Sequence, residues 1–191
     1  MDGQYVDMYE RTQQLKDPAS PIYGCDAFWN TFWNLNQLWA LATPDIMNKW
    51  VESLLEYYRV GGWLPNGPPG VEYCDIMGAQ HEIPLMVSAY QKGIRNYDVD
   101  KAYEAVKKTL TTQGTALSSG GIVGNRHLDV YLKYGFVPYG EKSHHNVFGT
   151  TYEGPTSNTL EYAFDDWNAA QFAKALGYEE DYDYFSRRAY N

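Results

Sequence analysis

Positive charge is scarce in this sequence: 15 Lys and Arg stand against 24 Asp and Glu, a formal net charge of -9. With no Lys/Arg stripe to release counterions from a phosphate backbone, a nucleic-acid partner is excluded. Long hydrophobic runs are missing as well. No stretch approaches the ~18 uninterrupted apolar residues of a membrane span. The opening MDGQYVDMYERTQQ carries neither the basic nor the apolar region of a secretory signal. Cysteine is limited to Cys25 and Cys74, neither in a CxxC or Cys/His metal spacing, so one disulfide and two buried thiols both stay open. Neither GxSxG nor HExxH occurs. Ser119 to Gly124 is glycine-rich, but no strand precedes it and no Lys-Ser/Thr follows, which excludes a phosphate loop. Alternation with period two is never sustained, so strands have little claim on the chain.

What is present points to helices. The chain of 191 residues is 44% hydrophobic and 16% aromatic, with 18 Tyr, 6 Trp and 7 Phe, and its mean hydropathy is -0.53. That length and composition suit one globular domain with a sizeable core. Phe28, Phe32, Leu35, Trp39 and Ala42 recur at three- and four-residue steps, predicting a helix over 28–42. Thr43-Pro44-Asp45 reads as cap, first-turn proline and first-turn acid of a second helix that stops at Gly61-Gly62. A third helix is expected over 75–92, kinked by Pro84, and a fourth is capped by Asp98. A short helix spans 128–134, and two more span 159–176 and about 180–189. The whole reads as an all-α array of helical hairpins.

Three constellations could carry chemistry. Trp29, Trp33 and Asn36, with Asn30, Asn34 and Gln37 beside them, pair flat rings with neutral amides. Sugars suit such a face: their C–H surfaces stack on rings and their hydroxyls need both donors and acceptors. The same face could equally be a helix buried on several sides. Glu161, Asp165 and Asn168 share one helix face at i, i+4 and i+7. Clustered carboxylates serve glycoside hydrolysis, but acids near a helix start are also favoured by the macrodipole, and Asn158 with Glu161 fits a capping box. Glu72, Asp75, His81 and Glu82 straddle the start of the third helix, where His81 could titrate near neutrality or simply pack. His144-His145 lack a metal spacing and read as solvated.

The run Thr159-Leu160-Glu161-Tyr162-Ala163-Phe164-Asp165-Asp166-Trp167 resembles the TLEYAYDDW signature of glycoside hydrolase family 92, the calcium-dependent exo-acting α-mannosidases. Phe28-Trp29-Asn30-Thr31 resembles the family's WDT helix start, with neutral Asn30 in place of the acid. Val51 to Leu55 through Gly61-Gly62-Trp63-Leu64-Pro65 resembles its SLL…GGWLP segment. Ala89 to Ile94, Asp98 to Ala105 and Tyr131 to Pro138 follow in family order, and the resemblance runs from about Tyr23 to Asn191.

The resemblance implies an incomplete (α/α)6 barrel over 1–191, with 1–22 as a lead-in segment. It implies an inverting removal of terminal α-linked mannose from glycans, with Ca2+ as cofactor. The family's acid, base and calcium-binding segments find no counterpart here, so they are expected in the remainder of a parent chain, and this chain is expected to be inactive alone. The implied sugar-binding wall comprises Trp29, Asn30, Glu72, His81, Glu161 and Asp165. Two rival readings stand beside this: another six-hairpin glycosidase or lyase using Asp165/Asp166, and a non-catalytic helical module that binds glycans or a protein. Family habit implies a periplasmic or extracellular location. An open helical array should also expose apolar surface.

Overall fold

The computed structural model describes residues 2–18, 20–25, 28–68, 73, 79–118, 121–140 and 154–190. Glu72, Cys74, Asp75 and the His144-His145 pair lie outside the described residues. Seven α-helices dominate: α1 (Leu35–Ala42), α2 (Pro44–Gly61), α3 (Glu82–Gln91), α4 (Val99–Thr111), α5 (Leu128–Tyr134), α6 (Pro155–Leu176) and α7 (Glu179–Ala189). The all-α array of hairpins is therefore what the chain forms. Two small antiparallel ribbons accompany it: β1 (Gln4–Val6) with β2 (Thr12–Gln14), and β3 (Thr115–Ala116) with β4 (Ile122–Val123).

The β1–β2 hairpin lies in what the sequence offers only as a lead-in. Strands of three residues are too short to show a period. What builds the turn is Asp7, whose carboxylate accepts from the Tyr9 and Arg11 backbone N–H groups at 2.8 and 3.0 Å, from Arg11 Nε at 2.9 Å and from Gln13 Nε2 at 2.7 Å. Burial opposes its charge, but these donors prevail and hold the carboxyl below its ordinary range.

Helix ends largely follow local chemistry. Asp98 accepts from Lys101 N–H at 2.9 Å, an N-cap in the usual sense. Gly62, Gly135 and Gly177 close α2, α5 and α6 in the left-handed conformation that glycine adopts without steric cost. Thr43 does precede α2, but its hydroxyl donates backward to the Trp39 carbonyl at 3.5 Å.

Three expectations need correction. The single helix over 28–42 is broken. Asn30 sits at φ 73, a 3-10 turn covers Thr31–Trp33, and Asn34 at φ -153 separates it from α1. Pro84 does not kink α3, because it lies in the first turn, where its missing N–H has no intrahelical partner to lose. Asn158 is not a cap: α6 begins at Pro155, after Gly154, and Asn158 is buried within it.

The main core joins Phe28, Met47, Leu54, Leu64, Leu85, Met86, Leu110, Phe172 and Phe185. Eight of the ten α3 residues are buried, so it serves as the central helix, against α2, α1 and α6. α6 packs along α7 and across α3 and α4. Polar ties fix the outer helices: Tyr58 OH donates to Glu104 at 2.9 Å, and Tyr103 OH donates to Asp181 at 2.7 Å. Apolar surface is indeed exposed, at Trp33, Leu38 and Leu41 around α1 and at Leu160 and Trp167 on α6.

One close approach sets a backbone requirement. Gly121 has φ +77, and a Cβ built there would lie 2.3 Å from the Tyr73 carbonyl oxygen. Gly121→Ala is expected to cost roughly 2–4 kcal/mol, from strain at positive φ plus a backbone clash. A urea midpoint shifted down by that amount is the check; a shift below ~0.5 kcal/mol would refute the packing described.

Candidate functional site

Glu161 and Asp165 lie one turn apart on α6 and turn the same edge toward the segment that leads into α3. Glu161 Oε2 is 2.7 Å from His81 Nε2, and its Oε1 accepts from the Trp29 indole N–H at 3.4 Å. Asp165 Oδ2 accepts the Gln80 backbone N–H at 2.8 Å. Rings of Phe32 and Phe164 meet the His81 imidazole edge-on, with centroids at 5.2 and 5.8 Å, and touch each other at 4.5 Å. Four separate stretches of sequence thus converge: the loop at Trp29, the 3-10 turn, the residues before α3, and α6.

The cluster is graded in depth. The Trp29 residue is 39% exposed and the Glu161 side chain 24%, whereas the His81 side chain is 1% exposed and Asp165 wholly buried. Burial disfavours the His81 cation, but the Glu161 contact and the negative charge of Asp165 and Glu161 raise its pKa. His81 in turn holds Glu161 below the ordinary carboxylate range, against partial burial. The pair is therefore a short imidazole–carboxylate contact that favours the charged form of both partners, with one oxygen edge toward solvent. Asp165 behaves oppositely: burial pushes it up to about 7, with Glu161 adding and with His81 and Gln80 opposing.

The helix geometry decides between readings that the sequence left open. Since α6 starts at Pro155, Glu161 lies beyond the first turn, where the macrodipole effect has faded. Its location is explained by His81 and Trp29. Asp166 is a different matter. It is wholly buried, and its Oδ2 accepts from Arg188 Nε at 3.0 Å and Tyr131 OH at 3.1 Å, while Oδ1 lies 2.8 Å from Arg188 Nη2. The two adjacent acids point about 100° apart around the helix and do not share an opening. They cannot serve as an acid–base pair across one bond.

The aromatic–amide face is also divided. Asn36 is buried, Trp33 is largely exposed, and Asn30 is half-buried in its left-handed conformation. Sequence reasoning passed over Phe32, Phe164 and Gln80 as site residues. Phe32 reads as a helix-stripe position, Phe164 falls inside the signature run with no role of its own, and Gln80 acts through its backbone.

Among the described residues, no three His, Cys, Asp or Glu side chains come together in a way that could hold a metal ion. Glu161 is engaged by His81 and Trp29, and Asp166 is spent on Arg188. These residues do not fit a calcium site.

Helical hairpins thus carry a rim of aromatic rings and a carboxylate. Comparison with known proteins gives the family. The model of the Glycosyl hydrolase family 92 catalytic domain matches residues 1–191, and the chain belongs to that family.

Among solved structures, the family GH92 α-mannosidase BT3965 from Bacteroides thetaiotaomicron superposes with a TM-score of 0.79 at 27% identity, over 98% of this chain and 23% of that one. The same enzyme in complex with mannoimidazole matches equally well, covering 22% of that chain. The family GH92 inverting mannosidase BT2199 from B. thetaiotaomicron VPI-5482 gives a TM-score of 0.79 at 27% identity, over 97% of this chain and 23% of that one. An uncharacterized secreted glycosidase of Arthroderma benhamiae is 27% identical over 177 residues, 85% of this chain and 22% of the relative. The chain thus spans less than a quarter of the length of these relatives.

Proposed function

We propose that this chain supplies part of the mannose-binding wall of a family 92 α-mannosidase that releases terminal α-linked mannose from glycans with inversion. The observation that carries this reading is the Trp29–Glu161–His81 contact. An indole face and a carboxylate held ionised lie along one rim, with the buried His81 imidazole anchoring that carboxylate from within. A pyranose fits that set, with its C–H face on the ring and its hydroxyls on the carboxylate. Asn30 offers an amide at the same rim, and Asp165 backs it from the interior. Glu72 belongs to the proposed wall by family resemblance. The acid, the base and the calcium ligands of the reaction are assigned to segments of a parent chain that have no counterpart here. A general acid and base must flank the bond ~6.5–9.5 Å apart in an inverting site, and the buried Asp165 and Asp166 offer no such pair. The mannoimidazole complex of BT3965 supports a mannose-type ligand. The secreted relative supports work in the periplasm or outside the cell.

In nuclear magnetic resonance titrations of the chain, α-methyl mannoside is expected to shift the Trp29 indole signal in a saturable way. An equal concentration of an unrelated sugar leaves it in place, and Glu161→Ala abolishes the shift. No aryl α-mannoside is hydrolysed, with or without calcium. Turnover above background that is lost on changing a residue of this chain would overturn the reading, as would an equal shift in Glu161→Ala.

A further inference from the structure

Glu82 opens α3 in an unusual position for a carboxyl group. The residue is 0% exposed, and neither of its oxygens has a hydrogen-bond partner among the described residues. The residues that follow it, Ile83, Pro84, Leu85 and Met86, are all buried. Asp165, on the helix packed against α3, is likewise 0% exposed. Its Oδ2 takes the Gln80 N–H, while its Oδ1 has no partner. Among the described residues, the cations of this region are already engaged: Arg188 with Asp166, and His81 with Glu161. An ionised carboxylate with no donor and no counter-charge in a dry interior is far less stable than its neutral form. Two such groups that feel each other's charge cannot both ionise readily.

We propose that Glu82 is an uncharged carboxylic acid at neutral pH, which leaves the proton of the neighbouring buried Asp165 to set the charge behind the His81–Glu161 contact. Glu82 is then a positioning residue. While the proton is held, His81 faces a single anion, Glu161, and the rim carboxylate stays anchored. When Asp165 ionises, the imidazolium lies between two anions, Asp165 within and Glu161 at the rim, and its hold on the rim weakens. Burial drives Glu82 well above the usual carboxylate range, opposed by its own backbone N–H and with the Asp165 charge adding, which agrees with the geometry. Among the described residues, the groups that face this pair are His81 and Gln80 from the loop before α3 and Glu161 and Asp166 from α6, with Asp166 turned toward Arg188. The effect on sugar rests on the mannose-wall reading; the protonation state does not.

Infrared spectroscopy of the 191-residue chain at neutral pH tests it directly. A carbonyl stretch of a protonated carboxylic acid, above the amide band, is expected in the wild type and loses intensity in Glu82→Gln, where what remains titrates away around pH 7 with Asp165 and Asp166. If Glu82→Gln does not fold, Asp165→Asn serves instead: the acid band that survives above the titration of Asp166 then belongs to Glu82. In nitrogen-15 spectra, His81 is expected to titrate in two steps in the wild type and in one step in Asp165→Asn. No acid band in the wild type, a band untouched by Glu82→Gln, or none in Asp165→Asn would each overturn the proposal. Failure of mannose to bind leaves the infrared result standing, so the two readings fail separately.

Discussion

Asp166→Ala is expected to remove about 3–5 kcal/mol of folding free energy, the cost of leaving a buried guanidinium without its carboxylate. The clamp it breaks is wide. Arg188 of α7 reaches Asp166 of α6 through Nε and Nη2, the Leu110 carbonyl at the end of α4 at 3.1 Å, and the Tyr184 hydroxyl at 3.2 Å. Tyr131 of α5 donates to the same carboxylate and to the Arg188 carbonyl, both at 3.1 Å. Four helices meet at one ion pair whose side chains are 0% and 8% exposed. Because natural domains are stable by only ~5–15 kcal/mol, this one change should leave little of the fold. The matching apolar double variant, Asp166→Leu with Arg188→Met, should recover much of the loss, because it removes both charges together. Urea unfolding measures both. A loss below ~1 kcal/mol in Asp166→Ala would mean that the pair does not hold the helices.

The second large effect is with pH. Burial pushes both Asp165 and Asp166 up to about 7, opposed chiefly by His81 in the first and by Arg188 in the second. An acid whose folded pKa lies above its unfolded value favours folding while protonated, and that contribution drains away as pH rises through the folded pKa. His81 has the same sign: its pKa is raised, so its contribution is complete below its unfolded value and lost as pH climbs. Between about pH 5.5 and about pH 8, Asp165 alone gives up ~2 kcal/mol on the linkage relation. That is a fall of roughly 5 °C or more in Tm for a chain of this size.

At the acid end the sign reverses. Asp7, Glu56, Glu161 and Asp181 are held below their ordinary values, so what they contribute is lost as pH falls through that lower range. The stability maximum is expected on the acid side of neutrality, and calorimetric scans across pH locate it. A Tm that rises steadily from mildly acidic to mildly alkaline pH would contradict the burial assigned to these aspartates. Asp165→Asn should flatten the alkaline limb.

Most of the helical frame can be read from residues whose effects are local. Asp98 caps α4 because its side chain reaches three residues on, and Gly62 and Gly177 end their helices because of their own φ. The ordered motifs around Gly61-Gly62-Trp63 and Glu161 to Trp167 lead to the family, and the match over 1–191 bears that out. What stayed hidden depends on distant partners or on small backbone changes. Periodicity alone could not show that Asn34 breaks the first helix, because the apolar spacing of Phe28, Phe32 and Leu35 is the same on either side. His81 and Glu161 are 80 positions apart, so their contact needs the fold. Asp165 and Asp166 look like a pair in the sequence and become different residues once Gln80 and Arg188 take adjacent edges of α6.

That division makes α6 an axle. One edge carries Glu161 toward the proposed sugar rim, and the next carries Asp166 into the clamp that seats α7. Both carboxylates are fixed to one helix, so a displacement of α6 moves Glu161 and Asp166 together.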